Sequence, residues 1–220
     1  MILAIYGTGG SGLESYEQIM RTPELKKRWD DFVFIDDTKE VGTFQERKCM
    51  PFQSFCLEYP ADSVRLLISL GEPKYREMLY ERVHASDYRL ATIVHPTAIV
   101  SVSATLGEGV FIQDNVSVSS EAIIGDNVWI NGKTIIGHHS VIGSHSTVCS
   151  FSIIAGHTTL DKCTYVGVSS AIRDELTIGA YSIISMGSVV MRDVRPEKIV
   201  MGNPAREVAD NTNHLVFSRK

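Results

Sequence analysis

Hydrophobic and polar positions follow one rule up to about residue 90 and another after it. In the first stretch, short apolar runs alternate with amphipathic segments. "ILAIY", "FVFIDD" and "VRLLISLG" read as buried strands, and "LESYEQIMRTPELKKRW" and "EPKYREMLYERVHA" carry helical spacing. Pro73 stands near the first turn of the second helix, where its missing N–H is tolerated. The glycines of "GTGGSG" turn the first strand into the first helix. Strand, helix, strand, loop, strand, helix predicts an α/β domain with a small Rossmann-like parallel sheet over residues 1–90.

From Val94 the period changes to six. Every sixth residue through Val190 is aliphatic, seventeen in succession. Four places after each stands a small or β-branched residue, with only Leu176 larger, and glycine often follows the aliphatic, as in "IGDNV" and "VIGSH". Six is neither the 3.6 of a helix nor the 2 of a plain strand. It marks a hexapeptide solenoid, in which each hexad is a short strand plus a turn and the aliphatic points into the core. The unbroken register predicts an all-β parallel β-helix over residues 91–206 with no long loop between coils. Residues 207–220 carry no pattern and read as a tail.

Composition excludes several function classes. The chain is 44% hydrophobic and 21% charged, as soluble globular domains are. A net charge of −5 does not suit a nucleic-acid binder. No apolar run approaches the roughly 18 residues of a membrane span. "MILAIYGTGG" lacks a basic n-region, and Cys49, Cys56, Cys149 and Cys163 show no CxxC spacing. Reduced thiols and a cytoplasmic location are the expectation.

Two stretches carry candidate chemistry. "GTGGSG" fits G-x-G-x-x-G as Gly7, Gly9 and Gly12, and Asp36 and Asp37 end the next strand. Backbone N–H groups at a helix N-terminus hold a diphosphate, and an acid at a strand end takes a ribose or base. NAD and a nucleotide sugar offer the same groups, and a solvated strand end is the bland alternative for the two aspartates. The second stretch is "TIIGHHSVIGSHSTV", with His138, His139 and His145. Ile136 points inward, so His138 and His139 fall on the turn. Turn positions of a solenoid face solvent, the bland reading for His145 and His157.

The hexad pattern closely resembles the left-handed parallel β-helix of hexapeptide-repeat acyltransferases, and the handedness comes from that resemblance. It also implies three hexads to a coil, so that Gly156 stacks on His138, His157 on His139 and Cys163 on His145. "IYGTGGSG", "FIDD", "LGEPKYR", "IGHHSVIG", Ala155-Gly156 and "KIVMGNPAREV" together are similar to the nucleotide-amino-sugar acetyltransferases, the PglD-like or sialic-acid O-acetyltransferase-like group, over Ile5 to Arg206. The resemblance implies an acetyl-CoA-dependent N-acetyltransferase acting on the amino group, at C4, of a nucleotide-linked 4-amino-4,6-dideoxy sugar. O-acetylation of a sialic-acid-type sugar and a non-enzymatic trimeric nucleotide-binding module stay open beside it. In the family, the position of His138 is the general base, and Gly156 offers its N–H to the developing oxyanion. His139 replaces the acid that follows the base, and Thr147 replaces a second histidine. Asn131 matches an asparagine that places the sugar, and equally suits a tight turn. Nucleotide-sugar contacts fall on Gly9, Gly10, Ser11, Asp36, Asp37, Gly71 and Arg76. Acetyl-CoA contacts fall on Thr147, Gly156, Val168, Met186 and Arg206, and Arg192, Arg195, Lys198 and Arg206 make the C-terminal end basic. Pro204 provides a stop to strand pairing. The family is trimeric, with sites between protomers. The γ-class carbonic anhydrases share this fold and hold zinc with three histidines, but their spacing is absent, so no metal is expected.

Overall fold

The computed structural model describes residues 1–217. Two compact units emerge: Met1–Gly71 with Met78–Thr92, and Glu72–Glu77 with Ile93 onward. The division between the units falls between Thr92 and Ile93, and Glu72–Glu77 is counted with the second unit.

In the first unit, β1 (Ile2–Tyr6) runs parallel to both β2 (Asp31–Ile35) and β5 (Val64–Ile68). The helix α1 (Gly10–Arg21) follows β1, and α2 (Pro23–Lys26) begins after a break at Pro23, so the long amphipathic segment is two helices. The stretch expected as a loop holds β3 (Gly42–Phe44), β4 (Arg47–Met50) and α3 (Phe52–Glu58). The sheet order is β3-β4-β2-β1-β5, with only the β3–β4 pair antiparallel. From β1 the chain goes first to β2 on one side and later to β5 on the other, which makes the C-terminal end of β1 a topological switch point. The last helix, α4 (Pro73–Ala85), has Pro73 as its first residue.

The second unit is a left-handed parallel β-helix. Two-residue strands from Ile93–Val94 to Val189–Val190 form three faces, and as far as Ala171–Ile172 each pairs in parallel with the strand eighteen residues on. From Ile112 to Val190 every sixth aliphatic is at most 2% exposed. Val94, Val100 and Leu106 of the first coil are only partly buried, having a coil on one side alone. The small residue four places later is needed for space and for a hydrogen bond. Ser140, Ser146, Ser152 and Thr158 are fully buried, and each hydroxyl donates to a carbonyl fifteen residues ahead. At many corners a residue other than glycine takes the left-handed backbone conformation, His139 and His157 among them (φ 57° for both). Its N–H then donates to a carbonyl of the preceding coil, as His139 does to Ser120 and His157 to His138. Gly137 is glycine because a Cβ there would lie 2.5 Å from the nitrogen of Gly156 in the next coil.

The C-terminal end differs from expectation. Lys198–Gly202 pairs in parallel with Ile183–Ile184, and Ala205–Asp210 then folds back antiparallel upon it. Pro204 thus sits in a hairpin turn, and pairing continues past it. Residues 211–217 pack on the same unit: the backbone N–H groups of Val216 and Phe217 donate to the Glu72 carboxylate, and His214 stacks on Tyr181 at 4.0 Å. The expected tail is a structured closure as far as it is described, and residues 218–220 lie outside the described residues.

Candidate active site

The first unit places a cleft of about 390 Å³ at the switch point. Gly9, Gly10, Ser11, Asp36, Asp37 and Gly71 line it, together with Tyr6, Thr8 and Ser69. The glycine loop is shaped by close approach. A Cβ on Gly12 would lie 2.0 Å from the carbonyl oxygen of Gly7, whereas Gly9 and Gly10 have nothing within 4 Å. The first pair of constraints builds the turn, and the second leaves backbone open to a ligand at the start of α1. Ser69 locks the loop from below, its hydroxyl donating to the carbonyl of Ser11 at 2.9 Å.

Both aspartates are held rather than loose. Asp36 accepts hydrogen bonds from the Thr8 hydroxyl and from the backbone and hydroxyl of Thr38. Burial works to raise its pKa, but these donors outweigh it and the pKa is lowered. Asp37 accepts from the Tyr6 hydroxyl, from Phe52 N at 3.0 Å and from Arg82 Nη1 at 2.6 Å. It too is lowered: burial is outweighed by these hydrogen bonds and by the Arg82 charge. Thr8, Thr38 and Arg82 carry no motif of their own, and sequence reasoning missed them.

In the second unit, three different corners of the coils carry the candidate residues. His138, His139, Gly156 and His157 share one corner. The register is the expected one: the His139 and His157 rings stack with centroids 4.7 Å apart, and a Cβ on Gly156 would fall 2.9 Å from both Cε1 and Nε2 of His138. The His138 imidazole therefore lies over the glycine, in space that any side chain would fill. Its Nδ1 is 3.1 Å from Nδ1 of His139. One of two facing ring nitrogens must carry the proton. With it on His138, Nε2 of His138 keeps its lone pair. All three imidazoles are exposed, with ring nitrogens within 4.8 Å of one another.

Asn131, Val168 and Met186 lie at a second corner, where Met186 is 74% exposed. The Asn131 Oδ1 is buried without a hydrogen-bond partner among the described residues. The structure does not bring these three together with His138 on one edge. The third corner corrects two expectations. Arg76, expected beside the sugar, has no exposed surface, and its Nη2 donates to the carbonyls of His145 and Ser146 and to the Thr147 hydroxyl. Burial pushes its pKa down to about 10, so it stays charged at neutral pH. Thr147, expected to meet acetyl-CoA, is 5% exposed and engaged by that guanidinium. His145 is also buried here, not solvent-facing, and Asn127 Nδ2 lies 3.1 Å from its Nδ1. Burial lowers its pKa to about 4. The basic C-terminal end is partly neutralised, because Arg195 pairs with Glu207 and Lys198 with Asp210. Arg206 is exposed, beside a small cleft of about 140 Å³ that Arg192 also lines.

No family model matches the chain. Solved structures do. It is similar to the acetyltransferase domain of PglB from Neisseria gonorrhoeae FA1090 (21% identity, 94% of this chain and 99% of that one, TM-score 0.85). WeeI from Acinetobacter baumannii AYE matches with 26% identity, 94% and 100% coverage and a TM-score of 0.85. PerB from Caulobacter crescentus, solved in complex with CoA and GDP-perosamine, matches with 23% identity, 95% and 98% coverage and a TM-score of 0.85. The chain has their fold. The likeness spans nearly the full length of each, so both the α/β unit and the β-helix are shared.

Proposed function

We propose that the chain is an acetyl-CoA-dependent N-acetyltransferase acting on the amino group, at C4, of a nucleotide-linked 4-amino-4,6-dideoxy sugar. The observation that carries the reading is the His138 imidazole lying over Gly156, eighteen residues away on the next coil. A base and a side-chain-free backbone meet there, as acyl transfer needs. The cleft of the first unit adds a diphosphate-sized loop and two ionised carboxylates. Full-length likeness to PerB, which was solved with CoA and GDP-perosamine, supports the substrate class.

In this reading His138 Nε2 takes the proton that the sugar amine loses as its nitrogen attacks the thioester carbonyl. Gly156 N–H makes no hydrogen bond among the described residues, and it faces the oxyanion that forms. Collapse of that intermediate breaks the C–S bond, and His138 returns the proton to the departing thiolate. His139 holds the proton-bearing face of His138 through the Nδ1 contact, the place an acid would otherwise fill. An imidazole supplies no fixed negative charge. An amine needs less help from its base than a hydroxyl does, so the dyad suits N-acetylation.

The site is completed by further copies of the chain. His138 stands at one corner, and Asn131, Val168 and Met186 at another. The face between those corners is apolar on its outside, with Ile99 73%, Ile135 45% and Ile153 46% exposed. Packing this face in a homotrimer covers it and brings unlike corners together.

The test is product identification with acetyl-CoA and a panel of UDP-, dTDP- and GDP-linked 4-amino sugars. An amide product with one nucleotide series supports the reading. An ester on a hydroxylated sugar would mean O-acetylation, and CoA and nucleotide binding without any product would mean a binding module.

A further inference from the structure

The histidine corner offers more than a base. His139 and His157 occupy the same corner position on successive coils, and both have the left-handed backbone conformation, so their side chains leave in the same direction. Their rings stack at 4.7 Å and 17°, and the His138 ring crosses both almost at right angles, 5.3 Å and 5.0 Å away. The acetyl-transfer reading uses His138 and His139 and leaves His157 without a task.

We propose that His138, His139 and His157 form a three-imidazole site for one borderline divalent cation such as zinc or nickel, with solvent in the remaining position. The ring nitrogens already lie within 4.8 Å of one another. The 3.1 Å between Nδ1 of His138 and Nδ1 of His139 is close to the roughly 3.3 Å separating two ligands on a tetrahedral zinc ion with bonds of about 2.0–2.1 Å. The third nitrogen needs a modest rotation, open to an exposed ring at a cost of about 0.5–1.5 kcal/mol. The donor set decides the ion class. Imidazole nitrogens favour zinc, nickel and copper, whereas magnesium and calcium require oxygen ligands, and this cluster contains none. Two of the ligands are sequence neighbours, and the third comes from the next coil.

The site goes beyond the acetyl-transfer reading and shares His138 with it. A cation bound there takes the place of the proton between His138 and His139 and so slows transfer where that reading holds. The primary test does not depend on activity. The untagged full-length chain is titrated with zinc against a chromophoric chelator, alongside His157→Gln and His139→Gln, with thermal melting as the folding control. We expect one ion per chain, affinity weakened about tenfold or more in each variant, and unchanged melting without metal. Undetectable binding, or binding that survives unchanged in both variants, would overturn the site. A second readout separates the two readings: zinc should inhibit acetyl transfer by the wild type more strongly than by His157→Gln. Metal binding without acetyl transfer leaves this site standing while the acetyltransferase reading fails.

Discussion

A methyl group on Gly156 would meet two ring atoms of His138 at 2.9 Å, well inside van der Waals contact. The ring is exposed and gives way more easily than backbone. Gly156→Ala should therefore fold, bind CoA and lose most of its turnover, a drop of about 10²-fold from the displaced base and disturbed oxyanion contact. Melting together with steady-state kinetics would check this, and wild-type turnover in the folded variant would contradict the assignment. His145 shows the opposite use of the same residue type. Its folded pKa, about 4, lies below the ordinary 6.5, because burial disfavours the proton and the Arg76 charge adds to that. The unfolded chain thus binds a proton first as pH falls. The contribution from neutral His145 is complete above about pH 6.5, is lost as pH drops toward 4, and levels off below that. It amounts to a few kcal/mol at most, on the order of 1.4 kcal/mol for each pKa unit. Denaturation midpoints across that window should fall less steeply in His145→Gln than in the wild type.

At the scale of elements, the glycine loop and the first turn of α4 separate what the sequence makes legible from what it hides. In the loop, Gly12 is required by the approach of Gly7 O, whereas Gly10 faces open space at the start of α1. Gly12→Ala should lower the melting temperature markedly. Gly10→Ala should leave it unchanged and weaken nucleotide diphosphate binding by about tenfold, because the added methyl occupies the cleft (calorimetry would tell). Both glycines were readable because a strand, a tight turn and a helix follow one another in the chain. Arg76 was not. Its motif, "LGEPKYR", has the spacing of a sugar contact, yet the side chain is buried against carbonyls some seventy residues away, a relation no local pattern encodes. Arg76→Met should destabilise by roughly 2–4 kcal/mol in chemical denaturation, since those buried carbonyls lose a charged donor. The β3–β4 hairpin and α3 were hidden for a simpler reason: three to seven residues are too few to show a period.

For the whole molecule, the hexad register is the most legible feature. Once the family resemblance supplies three hexads to a coil, side chains eighteen residues apart meet on adjacent coils, and the pairing of His138 with Gly156 and of His139 with His157 can be read by counting. What counting cannot supply is how the C-terminal segment closes the second unit, because that depends on surfaces rather than on period. In the proposed reaction the nucleotide lies in the cleft of the first unit and the acetyl group at the histidine corner of the second. The measurement that tests it most directly is thiol release from acetyl-CoA with a nucleotide-linked 4-amino sugar, compared between wild type and His138→Ala at saturating substrate. Sugar-dependent release is expected in the wild type, with a loss of about 10²–10⁴-fold in the variant and CoA affinity kept. Release that persists at the wild-type rate in His138→Ala would contradict it.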